Sequence, residues 1–204
     1  GSMLHILMQA PPADQDRAHS LRLVYSAPAL GEAAHLEFER RFGVRLVIGY
    51  GLSESTYGYI HPLSGPRRLD SMGFLRLHPD PDIECEARVV RLGDDGSAAG
   101  EAREGETGEL WLRNPAVFAG YYNDPEATAA AMAAGGWLRT GDLVRSEAGG
   151  WLTFVSRLTA IIRRRGENLA PAQVGPGLSS HPGVADAAGV GVPRSIWRAV
   201  WAPT

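Results

Sequence analysis

Residues Gly49-Tyr50-Gly51-Leu52-Ser53-Glu54 gather an aromatic ring, a hydroxyl and a carboxylate beside two glycines. They follow the apolar run Val44-Arg45-Leu46-Val47-Ile48. The carboxyl edge of such a strand is where open α/β sheets bind ligands. There the glycines would let a ligand approach the backbone, and Tyr50 would offer a face to a purine. Ser53 can donate to a phosphate, and Glu54 can hold a magnesium ion beside phosphates. The same residues also suit a plain strand-to-loop turn around a buried tyrosine. A second group, Thr140-Gly141-Asp142-Leu143, lies about 90 residues on, and Arg157 about 15 beyond that. A carboxylate in a tight turn can accept both hydroxyls of a ribose, or it can cap its own backbone. Arg157 carries a rigid fork of donors for ribose or phosphate, or it forms a surface ion pair. Arg163-Arg164-Arg165 reads mostly as a solvated charged face.

These residues need elements to hold them. Residues 4–20 read as a short helix and a loop. Leu21-Arg22-Leu23-Val24-Tyr25 is a brief strand, ended by Ser26-Ala27-Pro28. Residues 30–42 have helical spacing, with Leu30, Ala34, Leu36 and Phe38 as the apolar stripe. Strand, helix, strand within about 30 residues is the rhythm of a βαβ unit. After about residue 70 the rhythm changes. Ile83 to Leu92 is extended, Gly93-Asp94-Asp95-Gly96 turns it, and Glu109 to Arg113 is the next strand. Residues 125–134 form an alanine-rich helix opened by Pro125. Two short strands flank Ser146-Glu147-Ala148-Gly149-Gly150. The fold class is α/β, α+β overall. A partial parallel βαβ sheet (4–71) precedes a small antiparallel, barrel-like subdomain (72–155). The start of a small α+β domain (156–204) follows, where Val184 to Val192 is strand-like.

Composition narrows the class. Hydrophobic residues make up 44 % of the 204, enough for a sizeable core. A net charge of −3 gives no basic field to recruit nucleic acid. No apolar run approaches the ~20 residues that span a bilayer. Gly1-Ser2-Met3 reads as an expression scar, and no signal peptide follows it. The lone Cys85 suits a reducing, cytoplasmic setting. All 20 basic residues are arginine, and lysine is absent.

Further stretches accompany the three groups. They are Arg41-Phe42-Gly43, Gly108-Glu109-Leu110-Trp111-Leu112-Arg113, and Gly120-Tyr121-Tyr122-Asn123-Asp124-Pro125-Glu126-Ala127-Thr128. In this order, from about Leu21 to Val192, the chain resembles the adenylate-forming superfamily of acyl-CoA synthetases, nonribosomal adenylation domains and luciferases. Arg165-Gly166-Glu167-Asn168 with Pro171 looks more like the acyl-CoA ligases. Residues 9–23 are faintly similar to carnitine/crotonobetaine CoA ligases. The resemblance implies that a carboxylic acid attacks the α-phosphate of ATP and that coenzyme A then takes the acyl group from the acyl-adenylate. It implies ATP/AMP, Mg2+ and coenzyme A as cofactors. Ser53 and Glu54 become the catalytic pair, with Glu54 the metal ligand. Tyr50 and Gly51 meet the adenine, Asp142 and Arg157 hold the ribose, and Ser26, Ala27 and Pro28 wall the acyl and adenine pocket.

The chain departs from that pattern. Nothing before Leu21 resembles the family's phosphate loop, which ends in lysine, and no lysine stands for the adenylation lysine. Positive charge is thereby missing where negative oxygens develop, a loss of several kcal/mol of transition-state stabilisation. Thr159 stands at a position usually charged, and Tyr25-Ser26 where two glycines are common. Gln173 and Gly175 stand where acidic residues are usual. The expectation is therefore part of an acyl-CoA ligase, inactive alone. The alternatives are a non-catalytic relative that binds a nucleotide or another chain, and a structural domain with unused motifs. A half-sheet with an open edge further suggests a homo-oligomer through residues 20–60, or a missing complementary half.

Overall fold

The computed structural model describes residues 2–27, 30–160, 162–164, 167–169 and 183. Two compact units emerge, one of Gly1–Thr140 and Val144–Phe154, the other of Gly141–Leu143 and Val155–Thr204. The fold is mixed α/β, as the strand and helix rhythm predicts.

In the first unit, helix α1 (Ser2–Gln9) buries Leu4 and packs Met8 on the core. Strand β1 (Leu23–Ser26), helix α2 (Glu32–Phe42) and strand β2 (Arg45–Leu52) form the expected βαβ unit, with β1 and β2 parallel. Helix α2 turns His35, Phe38 and Phe42 inward, a spacing of three and four that lies on one face. Leu36 is not on that stripe and is 46 % exposed. Two residues before Phe38, it projects about 200° away around the helix. Phe38 and Phe42 pack with Leu4, Val44, Leu46 and Ile48 into one cluster.

Strand β2 does not end at Ile48. It runs on through Gly49, Tyr50, Gly51 and Leu52 and returns antiparallel as β3 (Ser55–Ile60), which pairs with β4 (Phe74–Leu75). The sheet order is β1-β2-β3-β4, so β1 is an edge strand, and Leu21, Leu23 and Tyr25 on it and just before it are exposed. The larger sheet holds β5 (Glu86–Leu92), β6 (Ala98–Glu101), β7 (Thr107–Arg113), β9 (Trp137–Ser146) and β10 (Leu152–Arg157), in the order β10-β9-β7-β5-β6. β8 (Met132–Ala133) pairs with β9, and the sheet curls as a half-barrel. Helix α3 (Pro125–Ala131) stops three residues short of expectation, because Met132 and Ala133 leave it to pair with Leu138 and Trp137. Asp124 caps it, accepting from the Ala127 amide at 2.8 Å. Tyr59 and Met72 pack with Leu110, Leu112, Val144 and Leu152, so the two sheets share a core.

In the second unit, β11 (Ile162–Arg164) and β12 (Glu167–Leu169) form an antiparallel hairpin. The strand expected at 184–192 and the helix breaker at 174–177 lie outside the described residues. Among the described residues no helix is long and apolar enough to cross a membrane.

Arginine forks hold the loops. Arg41 donates to Asp16 at 2.7 Å and to the carbonyls of Ala10 and Pro11, tying the segment before β1 to α2. Glu39 accepts the Leu46 amide at 2.8 Å and both arms of Arg67 at 2.7 and 2.9 Å. Burial alone would raise the Glu39 pKa. The Arg67 fork, the Leu46 amide and the Arg67 charge outweigh it and bring the carboxyl to about 2. Fully buried His35 lies 3.5 Å from Glu39, and burial pushes its pKa down.

A carboxylate held at about 2, against an ordinary 4.5, stabilises the fold fully above about pH 4.5 and loses that contribution as pH falls to about 2. At neutral pH the contribution is on the order of 3 kcal/mol. In urea unfolding, the stability gap between wild type and Glu39→Gln is expected to be widest above about pH 5 and to close towards pH 2. A gap independent of pH would show that the ionised form of Glu39 does not matter.

Candidate functional site

The Tyr50 to Glu54 group sits on a β-hairpin, not on a loop after a strand. Ser53 and Glu54 are the two-residue turn between β2 and β3, and the register slips between Tyr50 and Leu52, where Gly51 alone on β2 faces residues 56–58 of β3, so the bulge lies in β3. Gly51, opposite the bulge, is exposed. Tyr50 pairs across the hairpin with Tyr59 and is half-buried against the shared core. Gly58 lies behind its ring: a Cβ there would come within 2.3 Å of the Tyr50 carbonyl oxygen and 2.9 Å of the ring. The Tyr25 ring covers Gly49 in the same way, its hydroxyl 1.9 Å from where a Gly49 Cβ would stand. Ser26 is buried at the end of β1, Ala27 is exposed, and Pro28 lies outside the described residues.

The hairpin tip is held from the segment after β7. Asn114 donates to the Ser55 hydroxyl at 3.0 Å and to the Tyr57 carbonyl at 2.9 Å, and accepts from the Ala116 amide at 3.0 Å. Ser55 is fully buried and bridges to Val117. The Phe118 amide donates to the Glu54 carbonyl at 2.8 Å, and the Tyr121 hydroxyl to the Glu54 carboxylate at 2.6 Å. Single-sequence reasoning singled out neither Asn114 nor the Tyr121 contact. The faint signal was a polar residue directly after an apolar strand and a tyrosine in a polar loop.

In the second unit, Asp142 and Arg157 come together. The Arg157 Nε lies 2.7 Å from Asp142 Oδ1. Asp142 is only 1 % exposed and Arg157 is 53 % exposed, so the guanidinium reaches from solvent onto a buried carboxylate. Asp142 is not in a tight turn. It lies inside the ten-residue strand β9, one residue after Gly141, whose φ of 69° only glycine adopts readily. Thr159 follows in a short 3₁₀ turn and is exposed. The side chains of Arg163 to Arg165 lie outside the described residues.

The donors present are hard oxygens. Among the described residues no group of three His, Cys, Asp or Glu side chains could hold a metal by itself. A cation here would need ligand oxygens beside the Glu54 carboxylate, which is how Mg2+ is commonly carried, by one or two carboxylates and substrate phosphates.

The chain belongs to the AMP-binding enzyme family, which it matches over residues 1–122. Within it the likeness is to acyl-CoA ligases. The chain is 39 % identical over 170 residues to the sulfoacetate–CoA ligase of Cupriavidus necator, covering 82 % of this chain and 31 % of that protein. It is 35 % identical over 196 residues to the crotonobetaine/carnitine–CoA ligase of Salmonella typhimurium, covering 95 % and 36 %. The ATP-bound structure of MatB from Rhodopseudomonas palustris superposes with a TM-score of 0.77 at 26 % identity, over 94 % of this chain and 36 % of that one. The chain thus spans about a third of the length of the curated relatives it matches.

Asn114→Ala removes the hydrogen bonds to Ser55, Tyr57 and Ala116 and leaves the buried Ser55 hydroxyl short of a partner. It is expected to cost about 2 kcal/mol in urea unfolding. Loss of under a few tenths would mean that the two sheets do not depend on this residue.

Proposed function

We propose that this chain is part of an ATP-dependent acid–thiol ligase, and that the chain alone holds adenine nucleotide without completing the chemistry. In the reaction of such a ligase, a carboxylate oxygen attacks the α-phosphate of ATP, the bond to pyrophosphate breaks, and acyl-AMP results. The thiol of coenzyme A then displaces AMP. In the proposed division of labour, Tyr50, backed by Gly58, meets the adenine, with Gly51 beside it. Ser53 donates to phosphate from the hairpin tip, and Glu54 meets a phosphate-borne Mg2+, which when bound would neutralise phosphate charge. Ser26, Ala27 and Pro28 border the acyl side. Asp142 accepts from the ribose hydroxyls and Arg157 orients it. Residues 4–71 would belong to the large α/β part of the enzyme, 72–155 to its barrel and 156–204 to its small domain.

The observation that carries the reading is the hairpin tip. It is a two-residue turn with a hydroxyl and a carboxylate at its end, the carboxylate fixed by Tyr121. Electrostatic stabilisation of phosphoryl chemistry needs groups already in place. The limit on activity comes from composition: no lysine is available to meet the developing charge.

Calorimetry with AMP tests nucleotide binding. Weak binding is expected, and Asp142→Ala and Arg157→Gln are each expected to weaken it about tenfold, the size of one lost charged hydrogen bond. Equal affinity in wild type and both variants would remove the ribose assignment.

ATP–pyrophosphate exchange tests the chemistry. The purified chain, given a panel of fatty, aryl and betaine-like acids, is expected to show no exchange above a Glu54→Ala control. Clear exchange would overturn the claim that the chain alone is inactive.

A further inference from the structure

A side chain at the tip of a hairpin normally samples several rotamers, since nothing beyond the turn packs on it. Glu54 is different. Its carboxylate accepts the Tyr121 hydroxyl at 2.6 Å, the short distance of a charge-assisted bond. Tyr121 is itself fixed on several sides. Its ring meets Phe118 edge-on at 4.8 Å between centroids. Its amide donates to Thr128 Oγ1 at 2.9 Å, and that hydroxyl donates to the Asp124 carbonyl at 2.8 Å. Asp124 is the cap of α3, and Asn123 before it takes a positive φ of 52° that closes the turn. A chain of short contacts therefore runs from the start of a helix to one oxygen of one carboxylate, its last link, from Tyr121 to Glu54, spanning 67 positions of sequence.

The donor type matters. An arginine or lysine in this place would orient Glu54 but would also offset its charge and compete with any cation. A phenol orients without adding charge. It binds Oε1 and leaves the full negative charge of the carboxylate, with Oε2, to face a cation. We propose that Tyr121 is a positioning residue, setting the Glu54 carboxylate in the orientation that meets a divalent cation carried on a nucleotide's phosphates. This rests on the nucleotide reading above and adds to it the residue that makes the metal contact directional.

The test compares wild type, Tyr121→Phe, Glu54→Gln and the double variant. Tyr121→Phe keeps the ring against Phe118 and removes only the hydroxyl. Mn2+ is the probe, followed by water-proton relaxation in the presence of ATP, and AMP binding without metal is measured by calorimetry alongside. Thermal melting by circular dichroism checks the fold. The expected result is that Tyr121→Phe weakens Mn2+ binding in the presence of ATP about tenfold. Metal-free AMP affinity stays within about twofold, and on the Glu54→Gln background Tyr121→Phe has no further effect. Unchanged Mn2+ binding in Tyr121→Phe would overturn the proposal while leaving the nucleotide reading intact. So would an equal loss of metal-free AMP binding, or an additive loss in the double variant, since each means that Tyr121 acts only on the fold. A wild-type chain that binds no adenine nucleotide, with or without metal, removes the nucleotide reading and this role together.

Discussion

Asn114 is the constraint from which the first unit's geometry follows. It follows β7 and binds Ser55 and Tyr57 on β3, so its amide side chain, with the Phe118–Glu54 and Met72–Leu152 backbone bonds, sets the larger sheet against the smaller one. An amide suits this place because it donates twice and accepts at once, matching a hydroxyl, a carbonyl and a backbone amide together. The apolar core beneath, with Tyr59, Leu110 and Leu112, supplies most of the attraction between the sheets but no direction. Direction comes from the polar junction. With it in place, the chain after β7 runs past the hairpin tip, and Phe118 and Tyr121 fall onto Glu54.

Much of the framework could be read in the sequence, for identifiable reasons. The βαβ unit declared itself by two short apolar runs on either side of a stretch with helical spacing. Pro125 and the alanines after it announced α3. Gly93 to Gly96 marked the turn after β5. The hairpin was harder, because Ser53-Glu54 lacks the Asn-Gly or Asp-Gly chemistry that usually signals a two-residue turn. Thr140-Gly141-Asp142 misled in the opposite sense: its residue types favour a turn, yet it is strand. Parity explains the outcome. Leu138, Thr140, Asp142 and Val144 alternate onto one buried face of β9, and Asp142 goes inside with them. The Asp142–Arg157 pairing joined two residues that the sequence had assigned to one ligand, whereas the contact between Tyr121 and Glu54 had only the faint signal of a tyrosine in a polar loop. Contacts of that range depend on how sheets are laid together.

The use of arginine throughout has a physical effect beyond charge. Arg41 spans three acceptors on the segment before β1, and Arg67 grips both oxygens of Glu39. Arg139 reaches the buried Glu109, which also accepts from the Trp111 ring nitrogen. A planar fork can serve several acceptors in fixed directions where an ammonium would act as a point. Loops that would otherwise be loosely attached are thereby tied to strands and helices.

The hairpin tip also governs where this chain can change length. One residue added between Ser53 and Glu54 would slip β3 against β2, and side chains now facing the core, Tyr59 among them, would turn to the other face. The Asn114 contacts would lose their partners at the same stroke. The turn between β5 and β6 is bound differently. It closes on itself, Asp95 taking both the amide and the hydroxyl of Ser97, and its contact with β9 is a long one, Arg139 donating to the Gly96 carbonyl at 3.5 Å. Insertions there would lengthen a surface ribbon and leave the rest in register. Drift in chain length is thus steered to the far end of the larger sheet, and the segment bearing Ser53 and Glu54 is held to a single spacing.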